Sequence, residues 1–359
     1  MNLKKRTCPI IARGARLWSQ KEWPIHSTPD CFVLHLATFN IESFGDDKFR
    51  QDLLEPRIQA LRPKLTELEA DILCLQEVNA QKVRGEKLRQ FLALDALIEG
   101  TAYQDFYRAF SVREDTGGPD SRHNLMVLSK FPILETKVHL HPHMNAPLWQ
   151  PQHAEPPYST PQNILFDRPI LQVKLDIGLA APLHVFVVHL RAPIAAPIPG
   201  GKVAPFSWKS VSAWAEGYFL ASVKRVAQAL DIRLMVERIL DAEKEALIAV
   251  AGDFNVTGDG AALRLLLGDP DDTGNPDLEG NRLHQLDAAL PLDLRRTVIH
   301  MGKGQALDHI LATPALARTM QDIEVFNDGL ADEVLDAGTS ADAGSFHAAM
   351  RAVFRLGPE

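Results

Sequence analysis

Residues 248–255 read Ile248-Ala249-Val250-Ala251-Gly252-Asp253-Phe254-Asn255, an apolar run that ends in a carboxylate and a carboxamide two positions apart. A short run of Val, Ile and Ala bounded by Gly is typical of a buried strand, and side chains two apart on an extended segment point the same way. We therefore expect Asp253 and Asn255 to face one spot. A carboxylate accepts a proton and a carboxamide donates to an oxyanion, and phosphate-ester hydrolysis needs both acts. The alternative interpretation is a turn that follows a strand.

Other apolar runs also carry polar or ionisable residues at an end. They read Leu36-Ala37-Thr38-Phe39-Asn40, Ile72-Leu73-Cys74-Leu75-Gln76-Glu77, Val185-Phe186-Val187-Val188-His189-Leu190-Arg191 and Leu307-Asp308-His309-Ile310-Leu311. His347 opens the last apolar stretch. Strands that bring Asn, Glu, His, Asp and His to their ends within one domain predict a single site assembled from several strand termini.

In chain order these residues resemble the motifs of the endonuclease/exonuclease/phosphatase superfamily, which includes deoxyribonucleases, abasic-site endonucleases, neutral sphingomyelinases and inositol polyphosphate 5-phosphatases. The resemblance covers residues 32–355, and five motifs in the right order carry it. It implies an α+β fold, a four-layer α/β/β/α sandwich of two mainly antiparallel sheets flanked by helices, with the site at one edge. We expect residues 31–359 to form this domain and residues 1–30 to be an N-terminal extension.

Composition sets limits on location and substrate. The chain has 46 acidic and 38 basic residues, a net charge of −8, whereas proteins that bind a nucleic-acid backbone usually have a basic excess. Nonspecific binding to long DNA is therefore disfavoured. No window approaches the roughly 18 uninterrupted apolar residues of a membrane span, and the first residues are poor material for a secretory signal. We expect a cytoplasmic monomer with no transmembrane segment.

Asn40 and Glu77 are the predicted metal ligands. Gln76-Glu77 matches the family's Gln-Glu motif, in which the glutamate holds a divalent ion. Because Mg²⁺ keeps several waters and needs only one or two protein carboxylates, Glu77 with Asn40 is sufficient to anchor Mg²⁺, or Mn²⁺ in its place. The alternatives are a solvated strand terminus for Glu77 and a turn residue for Asn40.

His189 and Arg191 form a second pair. Strand alternation puts them on one face, and the guanidinium of Arg191 offers fixed donors that suit a phosphate oxygen. The resemblance implies that His189 donates to the phosphate; a half-buried histidine satisfied by a backbone carbonyl is the alternative. Arg168 and Tyr158 are further candidates for phosphate contact.

The resemblance also implies roles for the remaining residues. Asp308 orients His347, and a carboxylate bonded to imidazole favours the cation, which makes His347 a donor to the scissile phosphate. Asp253 then orients or deprotonates the attacking water for an in-line displacement, and Asn255 steadies the charge that develops on phosphate oxygens. The neighbouring His309 alternates to the other face, where we expect a structural role.

One position departs from the family pattern. The closing motif of the family is Ser-Asp-His, and this chain has Ser345-Phe346-His347. Because phenylalanine cannot ligate a metal, we expect weaker binding of Mg²⁺. Asp336 and Asp342 lie in a nearby Gly-rich loop and are candidates to compensate.

The loops are expected to determine the substrate. Residues 193–215 interleave basic and aromatic side chains, including Trp208, as a base-stacking or lipid-facing surface does. A packed insertion that covers the following helix is the alternative. We expect a magnesium-dependent phosphoesterase that acts on nucleic acid. A phospholipid or small phosphate substrate, and a catalytically weakened binding module caused by Phe346, are the other hypotheses.

Overall fold

A computed structural model of the chain describes residues 31–45, 51–338 and 344–357. The extension predicted for residues 1–30 lies outside the described residues. In chain order the strands are β1 (Phe32–Phe44), β2 (Ile72–Val78), β3 (Tyr107–Phe110), β4 (Asn124–Ser129), β5 (Ile133–His139), β6 (Leu148–Trp149), β7 (Gln162–Asn163), β8 (Ile170–Leu175), β9 (Leu183–His189), β10 (Lys202–Ala204), β11 (Ser207–Trp208), β12 (Leu247–Asp253), β13 (His284–Gln285), β14 (Val298–His300), β15 (Lys303–Gln305), β16 (Asp308–Ala312), β17 (Met320–Phe326) and β18 (Ala349–Leu356).

The helices are α1 (Gln51–Glu67), α2 (Leu92–Ile98), α3 (Val211–Ala242), α4 (Ala261–Leu267), α5 (Pro270–Thr273) and α6 (Pro314–Ala317), with 3₁₀ turns at Ala102–Asp105, Pro276–Asn281 and Leu286–Ala289. Ser210 caps α3, because its Oγ accepts a hydrogen bond from Ala213 N at 3.1 Å. Among the helices described, none combines the length and apolar character needed to cross a membrane.

Two six-stranded sheets form the centre of the fold. The first has the strand order β17-β18-β1-β2-β4-β3, and the second has the order β13-β16-β12-β9-β8-β5. Four of the five pairings in each sheet are antiparallel. The parallel exceptions are β1 with β2 and β9 with β12. The prediction of two mainly antiparallel sheets is confirmed.

Three apolar clusters define four layers. The first cluster fills the space between the sheets with side chains such as Leu36, Val185 and Ala251. The second packs α1 and α2 on the outer face of the first sheet, and the third packs α3 and α4 on the outer face of the second sheet. The predicted α/β/β/α sandwich is therefore confirmed.

The two parallel pairs place polar side chains at one edge of the sandwich. In a parallel pair both strands end at the same edge, so β1 and β2 deliver Asn40 and Glu77 together, while β9 and β12 pair His189 directly with Asp253. Alternation along β12 turns Ala249 and Ala251 toward the other sheet, and Asp253 follows them inward.

The Pro-rich loop that follows β5 is fastened to α3 by one buried carboxylate. Glu216 accepts hydrogen bonds from Trp149 Nε1 at 2.8 Å, Gln152 N at 2.7 Å and His153 N at 3.0 Å. His153 Nδ1 lies 2.8 Å from the same carboxylate. Because prolines in this loop cannot donate to a β-ladder, the loop is held instead by contacts with the side chain of Glu216.

Gly252 lies at a point where β12 leaves no room for a side chain against β9. Its φ is +144°, and a Cβ at this position would lie 2.0 Å from Val188 O. We expect Gly252→Ala to lower the free energy of unfolding by about 1–3 kcal/mol or more, because neither backbone can move without disturbing the sheet. Urea denaturation measures the loss. Gly280→Ala is the control, since a Cβ there meets nothing within 4 Å, and its effect should stay within about 0.5 kcal/mol. Equal stability of the two variants would contradict the expectation.

Candidate active site

The candidate site lies where the parallel pairs end. Strands β1, β2, β9 and β12 reach it with their carboxyl ends, whereas β16 begins there and His347 precedes the start of β18. In the sequence, Asp308 belongs to an apolar run with polar residues at one end; in the structure it is the first residue of an antiparallel strand. Seven predicted residues come together here: Asn40, Glu77, His189, Asp253, Asn255, Asp308 and His347.

Asp253 is the centre of the cluster. Its Oδ2 accepts a hydrogen bond from Asn40 Nδ2 at 3.1 Å and lies 3.3 Å from His189 Nε2. Burial opposes ionisation, but the hydrogen bond from His189 and the charges of His347 and Arg168 lower the pKa of Asp253 to about 2. The carboxylate is therefore ionised at neutral pH.

Asn255 faces Asp253 for a different reason than strand alternation. Strand β12 ends at Asp253, and Asn255 has a left-handed backbone with φ of 52°. Its N–H donates to Asp253 Oδ1 at 2.8 Å, and its Nδ2 donates to Asp253 Oδ2 at 3.1 Å and to Leu190 O at 3.0 Å. The chain thus turns after β12, and the turn itself brings the carboxamide to the carboxylate, while the catalytic roles of the two residues stay predictions.

His189 lies between the carboxylates of the two sheets. Its Nε2 is 3.3 Å from Asp253 Oδ2 and 3.6 Å from Glu77 Oε1, while its Nδ1 is buried without a hydrogen-bond partner in the described part of the chain. Burial, followed by the charge of Arg168, lowers the pKa of His189. His189 is therefore a neutral imidazole with one N–H to share.

Asp308 and His347 form the predicted hydrogen-bonded pair. His347 Nδ1 lies 2.8 Å from Asp308 Oδ2, and His347 Nε2 lies 4.0 Å from Asp253 Oδ2. Burial opposes protonation, but the carboxylates of Asp308 and Asp253 raise the pKa of His347 to about 10. Burial raises the pKa of Asp308 as well, so the pair holds a single proton tightly at neutral pH.

Glu77 uses one carboxylate oxygen to bind the end of β1 and the loop before β4, and turns the other oxygen toward the site. Oε2 accepts hydrogen bonds from Ser43 N at 2.9 Å and Ser43 Oγ at 3.0 Å, and His123 Nδ1 lies 3.2 Å away. Oε1 points toward His189. Burial opposes ionisation, but the hydrogen bond from His123 and the adjacent imidazole charges hold the pKa of Glu77 well below its ordinary value.

Glu42 lies at the candidate site but is not among the residues predicted from the sequence. Its backbone is left-handed, with φ of 53°, and its Oε2 accepts a hydrogen bond from Phe346 N at 2.9 Å. Burial raises the pKa of Glu42, and its charge interacts with those of both His347 and Glu77. The available signal is the spacing Asn40-Ile41-Glu42, which repeats the two-residue interval of Asp253 and Asn255.

Phe346 stands beside this added carboxylate. The side chain is only 6% exposed, and its backbone N–H is the donor to Glu42. Glu42 thus places a negative charge next to the position where the family motif has aspartate. Asp336 instead accepts the N–H of Asp332 at 2.8 Å, and Asp342 lies outside the described residues.

The donor set fits a hard divalent cation at Glu77, with Asn40 and Glu42 beside it. Carboxylate and amide oxygens are the ligands that Mg²⁺ prefers, and Oε1 of Glu77 accepts no hydrogen bond from the described residues. The two carboxylates repel each other, and this repulsion contributes to the raised pKa of Glu42. A cation near both would remove that cost.

A second set of potential ligand atoms suits proton transfer better than metal binding. Ligand atoms of Asp253, Asp308 and His347 all lie within 4.8 Å of one another. However, His347 Nδ1 is already bonded to Asp308, and a protonated imidazole has no lone pair for a metal. In this protonation state the three side chains offer hydrogen-bond donors and acceptors rather than a complete set of metal ligands.

Arg168 and Arg191 lie on the second-sheet side of the site. Arg168 Nη1 donates to Leu190 O at 2.5 Å, which supports the backbone just after His189. Arg191 Nη1 lies 3.2 Å from Asp167 Oδ2, and Lys224 Nζ lies 3.2 Å from the same oxygen. The predicted contacts of both arginines with phosphate stay predictions.

Tyr158 lies in the loop that follows β5, and Trp208 is the last residue of the short strand β11. The backbone carbonyl of Tyr158 accepts from Gln150 Nε2 at 2.8 Å. Trp208 packs close to Gly217 of α3, and Lys202 Nζ lies 4.9 Å from its ring centroid. Neither residue has a hydrogen bond or ion pair to the site within the residues described, and the packing of Trp208 matches the alternative of an insertion that covers the helix.

Solved structures with the same fold are distant in sequence. Truncated TDP2 from Caenorhabditis elegans is 14% identical, with 90% of this chain and 98% of that chain covered and a TM-score of 0.50. TDP2 from D. rerio, humanized by 14 mutations, is 14% identical, with 90% and 99% covered and a TM-score of 0.51. At this identity the likeness shows the fold alone.

A comparison with curated proteins found no significant match. The model of the Endonuclease/Exonuclease/phosphatase family matches residues 37–328, which is more than half of the chain. This match confirms the resemblance seen in the motifs and agrees with the observed sandwich. The chain belongs to the Endonuclease/Exonuclease/phosphatase family.

Proposed function

We propose that the chain hydrolyses phosphate esters with a divalent cation, Mg²⁺ or Mn²⁺, and that its substrate is a phosphodiester in nucleic acid. The observation that supports this most directly is the Asp253 carboxylate, set within 4.0 Å of the imidazoles of His189 and His347. Such a set positions water on one side and donates a proton on the other, as in-line displacement requires. A cytoplasmic location and a monomeric state are part of this proposal.

In this proposal Asp253 orients the attacking water. A carboxylate with a pKa of about 2 is a weak base at neutral pH, so accepting a hydrogen bond from water suits it better than removing the proton outright. Asn40 and Asn255 hold its oxygens in place from opposite sheets. Release of the amide of Asn255 toward the phosphate would let it steady the developing charge.

His347 is the proposed proton donor. Its raised pKa keeps the imidazole protonated at neutral pH, and Asp308 fixes its orientation through Nδ1, which leaves Nε2 toward the scissile phosphate. From the neighbouring strand, His189 would share its one N–H between Asp253 and a phosphate oxygen. Both residues act on oxygens that gain charge as the ester bond breaks.

Glu77 and Glu42, with Asn40, are the residues that would hold the cation. When bound there, a divalent cation neutralises phosphate charge and acts as a Lewis acid on the phosphoryl oxygens. The proposed site lies on the accessible side of the cluster, because Glu77 and His347 retain 15% and 12% exposure whereas Asp253 retains 2%. Substrate would therefore approach over Glu77 and His347.

Basic and aromatic side chains support a nucleic-acid substrate. Arg191 and Lys224 share one carboxylate, Asp167, so the three side chains together keep a net positive charge. Arg191 lies two residues after His189 in the chain. The rings of Trp214 and Tyr218 lie 5.5 Å apart and are 44% and 38% exposed, which suits base stacking. The acidic net charge favours a short or single-stranded substrate over long duplex DNA.

One surface favours a phospholipid as the second candidate substrate. The turn between β10 and β11 carries Phe206, which is 97% exposed, and its neighbours Val203 and Val211 are also exposed. Apolar side chains at a protruding tip are typical of insertion into a membrane interface. The hypothesis of a weakened binding module is less well supported, because Glu42 supplies a carboxylate beside Phe346.

Metal removal tests the proposal directly. We expect hydrolysis of bis-p-nitrophenyl phosphate to require Mg²⁺ or Mn²⁺ and to stop in excess EDTA, because the carboxylates of the site need a cation to accept phosphate. Rates on a single-stranded oligonucleotide, on phosphatidylcholine vesicles and on p-nitrophenyl phosphate then separate the substrate classes. Full activity in EDTA would remove the metal from the proposal, and preference for the vesicles would move it to the lipid candidate.

Replacement of Asp253 tests the orienting role. Asp253→Asn is expected to lower turnover by about 100-fold or more, because loss of a positioned acid or base group typically costs that much. Asp259→Asn changes an exposed carboxylate of the same loop and should leave turnover unchanged. Circular dichroism checks that both variants fold. Near-native turnover of Asp253→Asn would show that another group orients the water.

The raised pKa of His347 predicts a pH dependence of stability. The folded state keeps the proton on His347 up to about pH 10, whereas the unfolded state loses it near pH 6.5. The stabilisation is therefore fully present below pH 6.5 and is lost as the pH rises through 10. Relative to His347→Gln, the wild type should lose up to about 1.4 kcal/mol of unfolding free energy per pH unit in this window. Denaturation at several pH values measures this, and NMR titration of His347 is the control. A constant difference between the two proteins would contradict it.

A further inference from the structure

The most heavily bonded atom of the proposed cation site is the rear oxygen of Glu77. Oε2 receives the N–H and hydroxyl of Ser43 and lies 3.2 Å from His123 Nδ1. Ser43 is the second-last residue of the long strand β1, whereas His123 lies in the loop just before β4. Two separate segments of the first sheet, the end of β1 and the loop before β4, therefore meet on this carboxylate and leave Oε1 as the oxygen directed into the site.

All three residues have a backbone conformation that side chains rarely adopt. The φ angles are 46° at Ser43, 62° at Glu77 and 57° at His123. Left-handed residues other than glycine are uncommon, and they persist where the surrounding structure holds them for a function. Three of them on one carboxylate indicate that the geometry is imposed.

Asn79 connects the end of β1 to the loop that carries His123. Its Nδ2 donates to Ser43 O at 2.9 Å and to Gly45 O at 2.7 Å, and its Oδ1 accepts the N–H of His123 at 3.1 Å. The backbone of His123 is thus fixed by Asn79 independently of its imidazole. The ring itself is 42% exposed and contributes little to the core, so packing does not explain why a histidine occupies this position.

We propose that His123 is a positioning residue that, together with Ser43, fixes the carboxylate of Glu77 so that Oε1 is presented to the divalent cation. The inference rests on the proposed function, because it concerns the same cation. The contact of Nδ1 with Oε2 at 3.2 Å opposes rotation of the carboxylate, and the ring also lies edge-on to His189, with centroids 6.3 Å apart. Outer hydrogen bonds of this kind commonly orient metal-binding side chains.

Two substitutions separate positioning from structure. His123→Gly removes the imidazole and also the strain, because glycine accepts positive φ freely. His123→Asn keeps a side-chain donor near the position of Nδ1, and asparagine tolerates the left-handed region. Glu69→Gly is the matched control: Glu69 is exposed, has φ of 45° and follows α1 away from the site.

The experiment measures binding of Mn²⁺ to the full chain by calorimetry or electron paramagnetic resonance, with no substrate present. We expect His123→Gly to bind Mn²⁺ about 10- to 100-fold more weakly than the wild type, the usual effect of losing an outer hydrogen bond to a metal ligand. His123→Asn should recover most of this affinity. Melting temperatures should rise by roughly 1–3 °C for both His123→Gly and Glu69→Gly, because both release strain, while Glu69→Gly binds Mn²⁺ as the wild type does.

The outcomes distinguish this inference from the function on which it rests. If the wild type binds Mn²⁺ and His123→Gly binds it equally well, the positioning role of His123 is wrong and the proposed phosphoesterase is unaffected. The same conclusion follows if His123→Asn is as weak as His123→Gly, since the donor would then be irrelevant. If the wild type binds no Mn²⁺, the metal-dependent function fails and the inference fails with it.

Discussion

The hydrogen bond from Asn40 Nδ2 to Asp253 Oδ2 joins the two sheets at the edge where the site lies. It connects residues that are 213 positions apart in the chain, and both are buried. A buried carboxylate without donors would be costly, so Asp253 ties Asn40, Asn255 and His189 to a common position. The close approach of Gly252 to the neighbouring strand sets where that carboxylate stands. The contacts that set the relative placement of the two sheets therefore also set the geometry of the candidate site.

Much of this arrangement follows from period-two alternation near the ends of apolar runs. Asp253, His189 and Asn40 follow inward-facing apolar residues in their strands, so their direction is implied by the sequence once the strands are recognised. Pairing of Asp308 with His347 depended on family resemblance, because the residues are 39 positions apart and only the antiparallel strands β16 and β18 bring them to the same edge. The layer order likewise came from the resemblance, since alternation identifies strands but not their neighbours.

The residues that the sequence did not reveal have unusual backbone angles. Continued alternation in β2 would turn Gln76 inward and Glu77 outward, and Gln76 is indeed buried on Thr38. Glu77 reaches the site because its φ is positive, and the same is true of Glu42 and His123. Nothing in residue identity alone signals a left-handed glutamate or histidine. These conformations are set by long-range contacts, such as those of Asn79 with Ser43 and His123.

Two neighbouring aspartate–histidine pairs differ in their burial and in how many imidazole nitrogens are already hydrogen-bonded. His309 is completely buried, and its ring contacts Asp287 at 3.0 Å through Nδ1 and Val256 O at 2.9 Å through Nε2, so both nitrogens are occupied. His347 uses only Nδ1 on Asp308 and keeps Nε2 free to face the centre of the site, with 12% of its side chain exposed. The two histidines come from different chain segments, and the adjacent residues Asp308 and His309 point to opposite faces of β16. One face therefore carries the pair to which we assign proton transfer in the proposed function, while the other holds the loop that carries Asn255 through the carbonyl of the next residue. The chemical difference between the pairs arises from position in the sandwich and not from residue type.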